Sequence, residues 1–179
     1  MRSFVSIDVG ALDTLVELEG EMEKTGASLK LVEPENIHIT LKFLGEIGED
    51  MVPEIEGVMR EAAEGVEPFT VTFEGMGAFP GMNYVRVVWV GAKDGGEMAK
   101  ISERINKSLA PHGFKKESFK PHITLARVKS ARGKENLVSL IERNAGRNFG
   151  EMGVESIRLK KSELRKEGPV YTTVKEVRL

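Results

Sequence analysis

No cysteine occurs among the 179 residues, which excludes disulfides, thiolate metal sites and cysteine nucleophiles. Aromatic residues are scarce, with one tryptophan, two tyrosines and eight phenylalanines. No apolar run approaches the length that spans a bilayer, and the start, "MRSFVSIDVG", lacks the apolar stretch and small-residue cleavage site of a secretory signal. An excess of positive charge is missing too. Twenty-six Lys and Arg against 28 Asp and Glu leave a formal net charge of −2, so no global field draws in nucleic acid or an anionic membrane. The expectation is a cytoplasmic protein without membrane contact, in which any meeting with nucleic acid is local. What remains is 40% apolar and 30% charged residues, enough to bury a core and cover it. The many Lys and Glu residues and the missing cysteine fit a heat-adapted protein.

Histidine is scarce as well, and its placement is informative. Two of the three histidines open an identical tetrapeptide, His-Ile-Thr-Leu, in "NIHITLKFLG" (Asn36 to Gly45) and "KPHITLARVK" (Lys120 to Lys129). With 8 threonines in the chain, two such coincidences among three histidines should arise roughly once in a few hundred chains of this composition, so the repetition demands a cause.

The surrounding pattern is mixed. Met1 to Val9 reads as a strand, and Leu12, Leu15, Leu18 and Met22 recur at helical spacing before Gly26. A short strand near Leu29 to Val32 and a turn at Glu33-Pro34-Glu35 lead into the first motif. Asp50 to Glu64 predicts a helix with Pro53 in its first turn. "PFTVTFEGMGAF" and "NYVRVVWVGA" predict two strands joined through Pro80-Gly81, and Asp94 to Ala110 predicts a helix apolar at Met98, Ile101, Ile105 and Leu109. After the second motif come a helix near Glu135 to Asn144 and two closing strands, near Phe149 to Leu159 and Val170 to Leu179. The connections are too short for a parallel doubly wound sheet. An α+β fold with two antiparallel sheets, helices on their outer faces and a pseudo-repeat is expected. No linker divides residues 1–179, so the halves are expected to pack as one unit.

Period-2 alternation puts Ile37, Ile39, Leu41 and Phe43 on one apolar face of the first motif, and His38, Thr40 and Lys42 on the other. In the second motif Ile123 and Leu125 point inward while His122 and Thr124 point away. A pseudo-two-fold would bring both polar faces to one cleft. Imidazole titrates near neutrality, so one histidine can be a general base and the other a general acid. The threonine hydroxyls can donate to a phosphate oxygen whose charge grows in the transition state. A strained cyclic phosphodiester suits that set. A zinc site would need three or four ligands, and no HxH, HxxxH or HExxH spacing exists. A single motif could be an ordinary half-buried strand histidine; two matched copies argue otherwise.

Lys42 is a candidate phosphate contact because it shares the His38 face. Arg127 falls on the face opposite His122 in a regular strand, so only a bulge or the strand end would turn it to substrate. Lys115, Lys116, Lys120, Lys129, Arg132 and Lys134 flank the second motif, and "RLKKSELRK" adds Arg158, Lys160, Lys161, Arg165 and Lys166. They are either a path for an RNA backbone or a solvated face. Phe4, Phe79, Trp89 and Tyr84 are core aromatics or, in one case, a stacking surface for a terminal base. His112, in "APHGF", suits a helix-terminal surface position.

These stretches resemble the two-histidine phosphoesterase superfamily, and within it the archaeal and bacterial RNA 2′,3′-cyclic phosphodiesterases once described as 2′–5′ RNA ligases. The resemblance runs through "MRSFVSID", "HITLKFLGE", "GAFP", "YVRVVWVG", "FKPHITLAR" and "GPVYTTV". It implies a bilobal α+β fold with the cleft between two antiparallel sheets, and hydrolysis of a terminal 2′,3′-cyclic phosphate to a 2′-phosphate without metal or cofactor. It further implies His38 as proton donor to the leaving 3′ oxygen, His122 as the base for water, and Thr40 and Thr124 as phosphate ligands. The implied partners are RNA ends bearing the cyclic phosphate, tRNA halves among them, met by a monomer. The alternatives are a 2′–5′ RNA ligase, a phosphodiesterase of small cyclic nucleotides, and a non-catalytic RNA-end-binding protein.

Overall fold

The computed structural model describes residues 1–179. In chain order the elements are β1 (Arg2–Asp8), α1 (Asp13–Lys24), β2 (Leu29–Leu31), β3 (His38–Glu46), α2 (Val52–Ala63), β4 (Phe69–Gly81), β5 (Tyr84–Lys93), α3 (Glu97–Leu109), β6 (His122–Val128), α4 (Lys134–Arg143), β7 (Asn148–Val154), β8 (Ser156–Arg165) and β9 (Gly168–Arg178). No helix is long and apolar enough to cross a membrane.

The helices form where apolar residues recur on one face. Leu15, Leu18 and Met22 of α1 and Met98, Ile101, Ile105 and Leu109 of α3 are all fully buried. Asp94 stops α3 from starting earlier. Its carboxylate accepts from the backbone N–H groups of Gly96 and Met98, at 3.0 and 2.7 Å, and so caps the helix instead of joining it.

All strand pairs are antiparallel, in the order β7-β4-β5-β6-β3-β1-β8-β9, with β2 on the far part of β6. The array is pinched at its middle. β3 and β6 meet through one register pair, Ile39 with Ile123, whereas β1–β3 and β5–β6 pair over most of their length. Two curled arrays result. The His38 lobe holds β3, β1, β8 and β9, with α2 and α3 packed against it; the His122 lobe holds β6, β5, β4, β7 and β2, with α1 and α4. The lobes are not the two halves of the chain, because the first and last strands come together in one of them. The closing region also differs from the expected pair of strands. It forms three, since the chain crosses at Glu155 from the His122 lobe to the other and then turns back as a hairpin.

One cluster of 38 buried apolar residues runs through both lobes, so they share a core. The two histidine strands sit at its centre, on either side of the pinch.

Candidate active site

Each histidine is the first residue of its strand, and each is fixed in the same way. The His38 Nδ1 lies 2.7 Å from the carbonyl oxygen of Asn36, and the His122 Nδ1 lies 2.6 Å from that of Lys120. A carbonyl only accepts, so Nδ1 carries the hydrogen and donates it in both rings. Nε2 is then the working nitrogen, able to take or give a proton. His38 Nε2 stands 3.0 Å from the Thr40 hydroxyl.

Each ring has an aromatic wall. Phe4 lies 4.9 Å from the His38 ring centroid and Tyr171 meets it edge-on at 5.4 Å; Phe79 meets His122 edge-on at 5.0 Å and Trp89 at 6.5 Å. The indole of Trp89 lies over Gly77, where a Cβ would fall 2.1 Å from the ring, so no other residue leaves room for it. Burial lowers the pKa of both histidines, against the carbonyl bonds that raise it. The charge of His122 is also felt at His38, as expected of two rings on one cleft.

The charged neighbours break the symmetry. Asp8 is the cross-strand partner of His38. Its Oδ2 accepts from Arg158 Nη1 at 2.5 Å and from Lys160 Nζ at 2.9 Å. Burial acts to raise the Asp8 pKa, but the bonds from Lys160 and Arg158 hold it below the usual value. A cavity of about 230 Å³ opens here, lined by Phe4, Asp8, Glu35, Asn36, Ile37, His38, Lys160 and Tyr171. Beside His122 stands a cation instead, with Lys120 Nζ 5.5 Å from the Phe79 ring centroid.

Both motifs depart from regular alternation at the same place. Ser6 pairs with Thr40 and Val5 with Lys42, so Leu41 is an extra residue; Trp89 pairs with Thr124 and Val88 with Ala126, so Leu125 is another. Each is a bulge whose carbonyl finds a partner beyond the disturbed register, Leu41 O accepting from Ser102 Oγ at 2.9 Å and Leu125 O from the Val32 N–H at 2.8 Å. Past the bulge the faces exchange. Lys42, expected in the cleft, is 2% exposed on the helix side, where its ammonium donates to Asn106 Oδ1 at 2.8 Å and to the Lys115 carbonyl. Arg127, opposite His122 in a regular strand, shares a face with its partner Val87 and with Trp89, the partner of Thr124, and its charge reaches Tyr171. Phe43, assigned to the apolar face by alternation, is 61% exposed instead.

Alternation thus places His38, Thr40, His122 and Thr124 as found, and misplaces the two basic candidates. It also passes over Asp8 and Tyr171, although Asp8 closes the "SFVSID" strand on the same period as Phe4 and Ser6. Of the basic stretch, Lys160 and Arg158 reach the site. His112 stays outside it, 3.3 Å from the Glu54 carboxylate. No group of three or more His, Asp or Glu side chains is arranged to hold a metal.

A family model for the 2′-5′ RNA ligase superfamily matches residues 19–163. The chain is 36% identical to the RNA 2′,3′-cyclic phosphodiesterase of Methanothermobacter thermautotrophicus over 182 residues, covering 100% of this chain and 99% of that one. It is 42% identical to the protein of the same name from Aeropyrum pernix over 167 residues, covering 92% and 94%. The crystal structure of TT0787 from Thermus thermophilus superposes with a TM-score of 0.84 at 29% identity, over 100% of this chain and 98% of that one. E. coli LigT complexed with 3′-AMP shares the fold at a TM-score of 0.77 and 23% identity, over 99% and 97%. The chain belongs to the 2′-5′ RNA ligase superfamily.

Proposed function

We propose that this member of the superfamily is an RNA 2′,3′-cyclic phosphodiesterase that opens the terminal cyclic phosphate to a 2′-phosphomonoester. The observation that carries this is the matched pair of imidazoles, each with Nδ1–H committed to a carbonyl and Nε2 left for substrate. The relatives' names agree with it.

His122 Nε2 takes a proton from water as the water oxygen bonds to phosphorus. The bond from phosphorus to the ribose 3′ oxygen breaks on the opposite side, and that oxygen takes the proton from His38 Nε2. The product carries a 2′-phosphate and a free 3′-hydroxyl, and solvent returns the proton from His122 to His38. The hydroxyls of Thr40 and Thr124 and the guanidinium of Arg127 hold the non-bridging oxygens as charge builds on them. Lys42 has no part in this. The 3′ oxygen must face His38, so the terminal ribose occupies the cavity beside that histidine. RNA ends such as tRNA halves fit the reading, with the protein acting as a monomer.

The test is incubation of an oligonucleotide ending in a 2′,3′-cyclic phosphate, with chelator present and the product end identified. Conversion to a 2′-phosphate is expected. A 3′-phosphate product, or activity lost to chelator and restored by a divalent ion, would contradict the mechanism; tight binding without turnover would favour the non-catalytic reading.

A further inference from the structure

The β8–β9 hairpin starts in the His38 lobe and ends against the other one. At its tip the Glu167 carbonyl accepts from Lys30 Nζ of β2 at 3.4 Å, and the Pro169 carbonyl accepts from Asn36 Nδ2 at 3.2 Å. Asn36 lines the cavity beside His38, so the hairpin straps across its outer end. Register continues the cavity wall along the arm. Lys160, Ser162 and Leu164 share one face of β8, paired with Thr173, Tyr171 and Pro169 of β9. Lys160 and Tyr171 line the cavity, and Leu164 is the next position outward on that face.

Leu164 is 87% exposed, the barest large apolar side chain in the molecule. A leucine left open at the mouth of a polar cavity offers a surface on which a base can pack. The charge around it is complementary to phosphate. Lys30, Lys161, Arg165 and Lys166 stand against Glu163 and Glu167, and Glu163 is shared between Lys161 at 2.9 Å and Arg165 at 3.2 Å. Lys30 and Lys166 are exposed at the tip.

We propose that this hairpin is an arm holding the RNA strand that precedes the terminal nucleotide, with Leu164 against the preceding base and Lys30 and Lys166 on backbone phosphates. This rests on the hydrolase reading above, which puts the terminal ribose in the cavity and sends the strand out through its open end. Charge complementarity and continuity with the cavity wall single out a nucleic-acid strand as the occupant. The consequence is a substrate class. The enzyme favours an oligonucleotide over a cyclic mononucleotide, and the preference resides in the arm.

The experiment compares the wild type with a Leu164→Ser/Lys166→Glu double variant on two substrates, uridine 2′,3′-cyclic monophosphate and a short RNA with the same end. Both positions are exposed, and thermal melts check that folding is retained. For the variant, KM on the oligonucleotide should rise roughly tenfold or more with kcat unchanged, and its salt dependence should weaken. The mononucleotide should be hydrolysed as by the wild type. Equal losses on both substrates, or no loss on the oligonucleotide, overturn the arm; the second result would leave the tip to a protein partner. If the wild type hydrolyses neither substrate, the hydrolase reading falls on its own. Binding of the labelled oligonucleotide then decides the arm, since equal affinity for wild type and variant removes it and a weaker variant keeps it.

Discussion

A histidine with Nδ1–H bonded to a carbonyl can serve as acid or as base, and its neighbours tip the balance. Asp8, Lys160, Glu35 and Tyr171 surround His38 within its own lobe, and Arg158 reaches it through Asp8; from the other lobe the charge of His122 acts on His38 and that of Arg127 on Tyr171. Among these the Asp8 carboxylate is the group that favours a proton on His38, while Lys160 and His122 oppose it. At His122 the Lys120 ammonium works against a proton. The local charges therefore suit His38 to the acid role and His122 to the base role. Asp8→Asn keeps the oxygen that Arg158 and Lys160 bond and removes the charge. Lys160 would then act on His38 uncompensated and lower its pKa further. The limb of the pH–rate bell on which activity falls as the acid loses its proton should move to lower pH, leaving the variant severalfold slower on the alkaline side. Rate profiles of the two enzymes, taken with chemistry rate-limiting, check this. A limb that stays in place, or moves to higher pH, would detach Asp8 from the acid.

At the scale of elements, the twin strands show how far alternation reads. The motif residues up to each bulge lie where a period of two puts them. Beyond it one extra residue exchanges the faces, and the groups that stabilise the bulges, Ser102 and the Val32 backbone, are far away in sequence from one or both leucines. Nothing local in "HITLKF" or "HITLAR" marks the step. The exchange can be tested by opposite phenotypes. Lys42→Met should leave kcat near wild type and cost about 1–3 kcal/mol of stability, because the buried bond to Asn106 Oδ1 and the bond to the Lys115 carbonyl are both lost. Arg127→Met should leave stability within about 0.5 kcal/mol, as for an exposed side chain, and slow turnover roughly tenfold or more. Denaturant melts and steady-state kinetics on both variants separate the two, and the reverse pattern would restore the regular strand. Helix α1 carries another departure from its pattern. Glu19 is 5% exposed among the apolar positions, and neither of its carboxylate oxygens has a hydrogen-bond partner. Burial, aided by Glu33 and Glu23, pushes its pKa up to about 7 from 4.5. Between those values the folded protein holds a proton that the unfolded chain has released, so stability present below pH 4.5 is lost as pH rises through about 7. The loss is roughly 3 kcal/mol at most. Glu19→Gln should leave stability at pH 4.5 little changed and raise it at pH 8, as chemical denaturation at the two values would show. No gain at pH 8 would mean that the carboxylate is solvated after all.

For the whole molecule, the repeat suggests two halves, and the topology joins the ends of the chain instead. Class and helix positions follow from periodicity, whereas the cleft needs the pseudo-two-fold or the family resemblance. Lobe membership does not follow from periodicity, because "SIRLKKSELRK" turns a polar face to the cleft and so hides both the third closing strand and its crossing. With β1 and β3 from the start and β8 and β9 from the end in one lobe, that lobe closes only when the chain between has folded back. The shared core makes the same point energetically. Leu159 in the His38 lobe and Phe73 in the other are both fully buried members of one apolar cluster, although the strand ladder between the lobes is a single register pair. If packing rather than strand pairing couples the lobes, they unfold together. Trp89, the only tryptophan, stands in the His122 lobe and reports on it alone. Leu159→Ala lies in the opposite lobe and should cost about 2–5 kcal/mol, the range for emptying a buried leucine site. Tryptophan fluorescence and far-ultraviolet circular dichroism should then give coincident melts in both wild type and variant, and the fluorescence midpoint should fall as far as the dichroism midpoint. A fluorescence transition that stays put while part of the dichroism melts earlier would mean two independently folding lobes. The cleft would then be a hinge between them, and the spacing of His38 and His122 would have to be set by substrate rather than by the core.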